Sequence, residues 1–211
     1  MARIKKGVIG GFSGKIGNIV GARWKDTDYI RSAAKPSKKE PSLKQLAQQA
    51  KFRMVNRFIT SLNPLLTTSF NVDAGSKTPM NSAVSYTLKN AVGGSHPAFS
   101  ILYPYVLVSR GDLPNILAPA VTPGTGGLLT FNWQDNSGMG IAKATDRMIV
   151  AAYCPASNQF IYSSGSSVRS ALSAQLNLAA FSGQQVETYI GCISEDRHNV
   201  ADSIYTGQVT L

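Results

Sequence analysis

The sequence predicts an α+β protein with an N-terminal Gly-rich basic β-hairpin arm, a two-helix middle and a C-terminal β-sandwich of immunoglobulin or fibronectin type III kind. Three observations lead there. Residues 1–57 hold 14 of the 21 Lys and Arg but 3 of the 11 Asp and Glu, a net charge of +11 against −1 for the rest of the chain. Apolar residues then recur with a helical period, and from about residue 99 the period changes to two.

Short β-type pieces open the chain, punctuated by Gly7, Gly10, Gly11, Gly14, Gly17 and Gly21. The Asp26-Thr27-Asp28 cluster separates Asn18–Lys25 from Tyr29–Ser32, which reads as a hairpin. Two strands alone are marginal in water, so such an arm must pack on the body or on another subunit. Residues 33–41 are a Pro-flanked basic linker. Ser42 and Gln45 match a capping box, and Leu43, Leu46, Ala47, Ala50, Met54, Val55, Phe58, Ile59 and Leu62 follow at helical spacing until Asn63-Pro64. A second helix is expected from Pro79, with Met80, Ala83, Val84, Thr87, Leu88, Ala91 and Val92 in its stripe and Gly93-Gly94 as its stop.

Leu129, Phe131 and Trp133 alternate with Thr130 and Asn132, and further strand-like runs cover Met148–Tyr153, Gln159–Tyr162, Leu172–Leu178, Val186–Ile193 and Ser203–Leu211. Short strands at this density predict a sandwich, and because Trp133 precedes both cysteines the fibronectin-like variant fits better than the antibody one. The expected divisions are 1–41 (arm and linker), 42–98 (helices) and 99–211 (sandwich). Cys154 and Cys192 lie in apolar runs, which fits two buried thiols or one bridge between neighbouring strands.

No enzyme, metal or cofactor signature emerges. Gly14-Lys15 lacks the rest of a phosphate loop, since Ile9 stands where the first Gly belongs and Ile16 where Ser or Thr belongs. His96 and His198 sit in turns, and neither Asp196-His198-Ser203 nor the scattered His and Cys reproduce a catalytic or ligand spacing. Arg110-Gly111-Asp112 spells an adhesive tripeptide but reads as an ordinary turn, with Gly111 supplying an unusual dihedral. Val8-Ile9 is cut by Gly10-Gly11, so no signal peptide is expected, and no run is long enough for a membrane span. The expected setting is cytoplasmic synthesis, with a virion or other assembled particle as destination.

Charge this asymmetric draws one end of a molecule toward an anionic surface. The arm residues expected to couple to a neighbour are Phe12, Lys15, Ile16, Ile19, Val20, Trp24, Tyr29 and Ile30. The residues expected to reach phosphates are Arg23, Lys25, Arg31, Lys38, Lys39, Lys44, Lys51, Arg53 and Arg57, interleaved with aromatics as nucleic-acid binding requires.

The words Gly10-Gly11-Phe12-Ser13-Gly14-Lys15-Ile16-Gly17-Asn18, Val20-Gly21-Ala22-Arg23-Trp24-Lys25 and Tyr29-Ile30-Arg31-Ser32 resemble a Bacteroidota family known as a domain of unknown function. That resemblance covers nearly the whole chain. More loosely, the opening is similar to small phage virion proteins in its Gly-Lys-x-Gly hairpin, Tyr-x-Arg step and Gln-containing helix, although the linker lacks an Asn-Pro step. Neither resemblance implies a catalytic residue. The expectation is a non-enzymatic structural subunit that self-assembles through its arm; the alternative is a cytoplasmic nucleic-acid-binding module acting through residues 1–57.

Overall fold

The computed structural model describes residues 3–4, 12–24, 27–35, 39–70 and 77–211. The chain divides into two compact units, Met1–Ser42 and Leu43–Leu211.

The N-terminal unit is a four-stranded antiparallel sheet in sequential order: β1 (Arg3–Ile4), β2 (Phe12–Ile16), β3 (Ile19–Trp24) and β4 (Thr27–Ser32). Ile16 pairs with Ile19 across a two-residue Gly17-Asn18 turn. Gly17 has φ +57°, the left-handed conformation that a tight hairpin turn demands. The expected hairpin break at Asp26–Asp28 is shorter than anticipated. Thr27 and Asp28 already belong to β4, facing Trp24 and Arg23.

In the second unit three helices precede the strands, not two: α1 (Leu43–Thr60), α2 (Asn63–Ser69) and α3 (Pro79–Asn90). Asn63-Pro64 ends α1 but also begins α2. Proline is tolerated in a first turn because its missing N–H has no intrahelical partner there. Leu65 and Leu66 of α2 are fully buried. The Thr78 hydroxyl caps α3, accepting from the Asn81 N–H at 3.2 Å, with Pro79 next. Gly93 and Gly94 do not end that helix; they lie in β5 (Val92–Ser95), paired with β6 (Ala98–Ile101).

The remaining strands are β7 (Leu117–Pro123), β8 (Leu128–Gln134), β9 (Arg147–Cys154), β10 (Gln159–Val168), β11 (Ser173–Asn177), β12 (Gln185–Ile193) and β13 (Ile204–Thr210). They form two antiparallel sheets, β10-β9-β12-β13 and β11-β8-β7, an arrangement compatible with a β-sandwich. Leu129, Phe131 and Trp133 of β8 meet Met148, Val150, Ala152 and Cys154 of β9 in one core. The intervening residues of β9, Ile149, Ala151 and Tyr153, point the other way into a second core with Val55, Phe58, Ile59, Leu62 and Leu66 of the helices. The four-stranded sheet is therefore covered on both faces. This explains why β9 is apolar from Met148 to Cys154, where a half-solvated strand would alternate. It also joins the helical region and the strands into one unit.

Arg110-Gly111-Asp112 is stitched into this body. The Arg110 N–H donates to the Ser69 carbonyl at 2.8 Å, its guanidinium stands over Tyr86, and the Gly111 N–H donates to Asp202 Oδ1 at 3.0 Å. Gly111 is needed for space, not for a special dihedral, because a Cβ there would collide with the Val200 carbonyl.

Buried and half-buried tyrosines give the body an alkaline weakness. Burial first, then the Tyr103 hydroxyl, pushes Tyr153 up to about 12 from 10.0. Burial also raises Tyr103, Tyr189 and Tyr205. Each folded-state value lies above its unfolded one, so this stability is complete below pH 10 and is lost as pH climbs toward the folded values. A Tm profile should therefore fall steeply between about pH 10 and 12. Tyr153→Phe should fall less steeply over that window, and an unchanged slope would show that Tyr153 contributes nothing to it.

Candidate functional site

The register of the N-terminal sheet decides which residues share a face, because directly paired residues point the same way. Ile16 and Ile19 form one row with Ser32, and Gly14 and Gly21 the next row with Ile30. The Phe12 ring lies over Gly21, so closely that a Cβ on Gly21 would overlap it. Arg23 and Asp28 end this face, 3.9 Å apart and both exposed. Such a pair is worth about 0–1 kcal/mol. The opposite face carries Lys15, Val20 and Arg31 in one row, then Ala22 beside Tyr29, then Trp24 beside Thr27. One face is thus mainly apolar, and the other is basic and aromatic.

The expected coupling residues therefore fall into two sets. Phe12, Ile16, Ile19 and Ile30 share the apolar face; Lys15, Val20, Trp24 and Tyr29 share the other. Ile30 is 67% exposed and Trp24 65%. Among the described residues of this unit only Gly21 is buried. Among its described residues the sheet has no core of its own.

The expected phosphate contacts are more scattered than the charge count implied. Lys25 and Lys38 lie outside the described residues. Arg31 joins Lys15, Arg23 faces Asp28, and Lys39 is exposed in the linker. On α1, Lys44 and Lys51 are seven residues apart on one side, with the Lys51 ammonium 4.8 Å from the centre of the Phe99 ring. Arg53 lies about two and a half turns beyond Lys44 and therefore on the other side of the helix, with Arg57 one turn further along that side. They line two adjoining hollows together with Asn158.

One polar cluster escapes sequence reasoning altogether. Arg169 and Asp146 are both fully buried, with Arg169 Nη2 3.1 Å and Nε 3.2 Å from Asp146 Oδ2. The guanidinium also donates to Asn136 Oδ1 at 2.5 Å, the Pro114 carbonyl at 2.8 Å and the Cys192 sulfur at 3.0 Å. The Trp133 indole N–H donates back to the Arg169 carbonyl at 2.7 Å. These bonds tie both sheets and the 114–115 segment together. Burial, opposed by the Arg169 charge, pushes the Cys192 thiol up to about 11. Both cysteines are free buried thiols, so the bridge left open by their sequence context does not form. In a linear sequence, Asp146-Arg147 and Arg169 are indistinguishable from surface charges, which is why nothing flagged them.

The imagined Asp196-His198-Ser203 grouping finds its hydroxyl already engaged. Ser203 is buried and its Oγ accepts the Val108 N–H at 2.9 Å, while Asp196 and His198 occupy an exposed turn. Among the described residues no three His, Cys, Asp or Glu side chains converge as metal ligands, and no helix is long and apolar enough to cross a membrane. No curated protein matches the chain. The family of unknown function DUF6266 matches residues 11–207, spanning both the N-terminal sheet and the two-core body, and the chain belongs to that family.

Proposed function

We propose that this protein is a non-enzymatic assembly subunit, set in a phage-virion-like or prophage-derived particle or filament, whose N-terminal sheet is an arm that docks on a neighbouring subunit. One observation carries the reading: the sheet exposes Ile16, Ile19, Trp24, Tyr29 and Ile30 and, among its described residues, buries only Gly21. An apolar face left in water is unfavourable, and a neighbour's apolar surface or strand edge supplies the cover that the described residues do not. The body needs no such help, having two cores. Its strand order supports a fibronectin type III reading: the first, second and fifth sandwich strands form one sheet and the other four the second. The helices are an addition on the outer face of the larger sheet.

A second reading, the nucleic-acid-binding module acting through residues 1–57, is favoured by the Lys15, Arg31, Tyr29 and Trp24 face. Light scattering over a range of protein concentration and salt separates the two. An assembly held by apolar docking gives a mass that is a multiple of 22.5 kDa and survives moderate salt. Phosphate-driven binding instead loses affinity linearly in log[salt], with a slope of roughly −0.9 per contacted phosphate on duplex DNA. A chain that stays at 22.5 kDa at every concentration is not an assembly subunit.

A further inference from the structure

The two hollows beside Arg53 and Arg57 hold about 600 and 750 Å³, ordinary volumes for small-ligand sites. They differ in character. The half-buried Tyr103 lines the first, its ring centroid 5.6 Å from that of Tyr153, which is buried behind it. Phe52, half exposed, lines the second. The ridge between them carries the two guanidiniums, which make no ion pair among the described residues. The wall opposite is Asn158, whose side chain accepts from the Tyr153 hydroxyl at 3.0 Å and donates to the Arg57 carbonyl at 3.5 Å. Those two bonds hold the β9–β10 turn against α1, so the hollows exist before any ligand arrives and binding need not order them.

The geometry points to a site for a phosphate ester that carries a planar base, either a free nucleotide or one nucleotide of a single strand. Guanidiniums one helical turn apart suit a phosphate, which accepts several charge-assisted hydrogen bonds. One accessible ring stands on either side of that ridge, the half-buried Tyr103 and the exposed Phe52, and stacking of a flat base on such rings is indifferent to sequence. The acidic side chains that usually quench such a ridge are missing from both linings. Phosphate alone would use only half of this arrangement. The inference does not rest on the assembly reading, since every lining residue belongs to Leu43–Leu211.

Calorimetric titration of the full-length protein with AMP, adenosine and ribose 5-phosphate tests it, with a fluorescent oligo(dT) followed by anisotropy. AMP is expected to bind at least about tenfold more tightly than either fragment. In Arg53→Gln/Arg57→Gln, AMP affinity should drop about tenfold or more, while Lys77→Gln/Lys89→Gln, exposed and outside both hollows, leaves it unchanged. Oligo(dT) binding far tighter than AMP, and sensitive to the same arginine pair, identifies a strand as the natural source; equal affinities identify the free nucleotide. Both arginines are exposed, so the double variant should retain its circular dichroism and Tm. The idea is overturned if AMP does not bind, if ribose 5-phosphate matches it, or if the arginine variant binds normally. Equal competition by oligo-glutamate would also overturn it, in favour of an acidic protein partner.

Discussion

In the assembly proposed above, Ile19→Lys with Ile30→Lys should leave a species of 22.5 kDa, with the Tm of the body within about a degree of wild type. Both isoleucines are exposed on the apolar face of the N-terminal sheet, 48% and 67% respectively. Introducing Lys there disturbs little within one chain. Against a neighbour it forces two ammonium groups into an apolar contact, each costing at least about 1–3 kcal/mol unless paired. The matched control is Lys15→Glu with Arg31→Glu on the opposite face, which should alter salt dependence but not particle mass. Particles that persist with both isoleucines replaced would show that this face is not the docking surface. The assembly reading would then have to move to the strand edges, where removal of residues 3–32 is the decisive comparison.

Arg169→Met should be the most damaging single change in the body, costing about 3–5 kcal/mol in urea unfolding. The loss comes less from the missing arginine than from what it leaves behind. Asp146 remains fully buried with its partner gone, and its Oδ1 already lacks a hydrogen-bond partner among the described residues. Asn136, the Pro114 carbonyl and Cys192 lose a donor at the same time. A domain is stable by only about 5–15 kcal/mol, so such a loss brings the body close to unfolding. Replacing both charges, as in Arg169→Met with Asp146→Leu, should recover most of the loss, because a buried ion pair and a well-packed apolar pair are often similar in stability. A single substitution costing under about 1 kcal/mol would mean that the cluster is hydrated and not a dry anchor.

Much of the strand region was legible because it obeys local rules. In β8 the buried set Leu129, Phe131 and Trp133 alternates as a one-sided strand must, and β12 and β13 lie where their apolar runs and turn residues put them. The helix start at Pro79 followed from proline's preference for a first turn together with the apolar spacing behind it. The readings that needed revision are those in which one residue type serves two opposite ends. Pro64 terminates a helix or initiates one, depending on whether Leu65 and Leu66 find a core. Gly93 and Gly94 stop a helix or open a hairpin, depending on what pairs with them.

The sequence by itself determined the period of each element, the concentration of positive charge in residues 1–57 and the poverty of the N-terminal segment in core-forming residues. These properties reside in short stretches of chain, where spacing and composition act directly. Only the tertiary structure decided which charges stand together. Lys44 and Arg53 are near in sequence yet on opposite sides of α1, whereas Asp146 and Arg169 are 23 residues apart and in contact. It likewise decided that β9 is covered on both faces and that the N-terminal sheet has an apolar side and a basic one. Pairing register and burial depend on what lies opposite a residue in space, and neighbours along the chain carry no record of that.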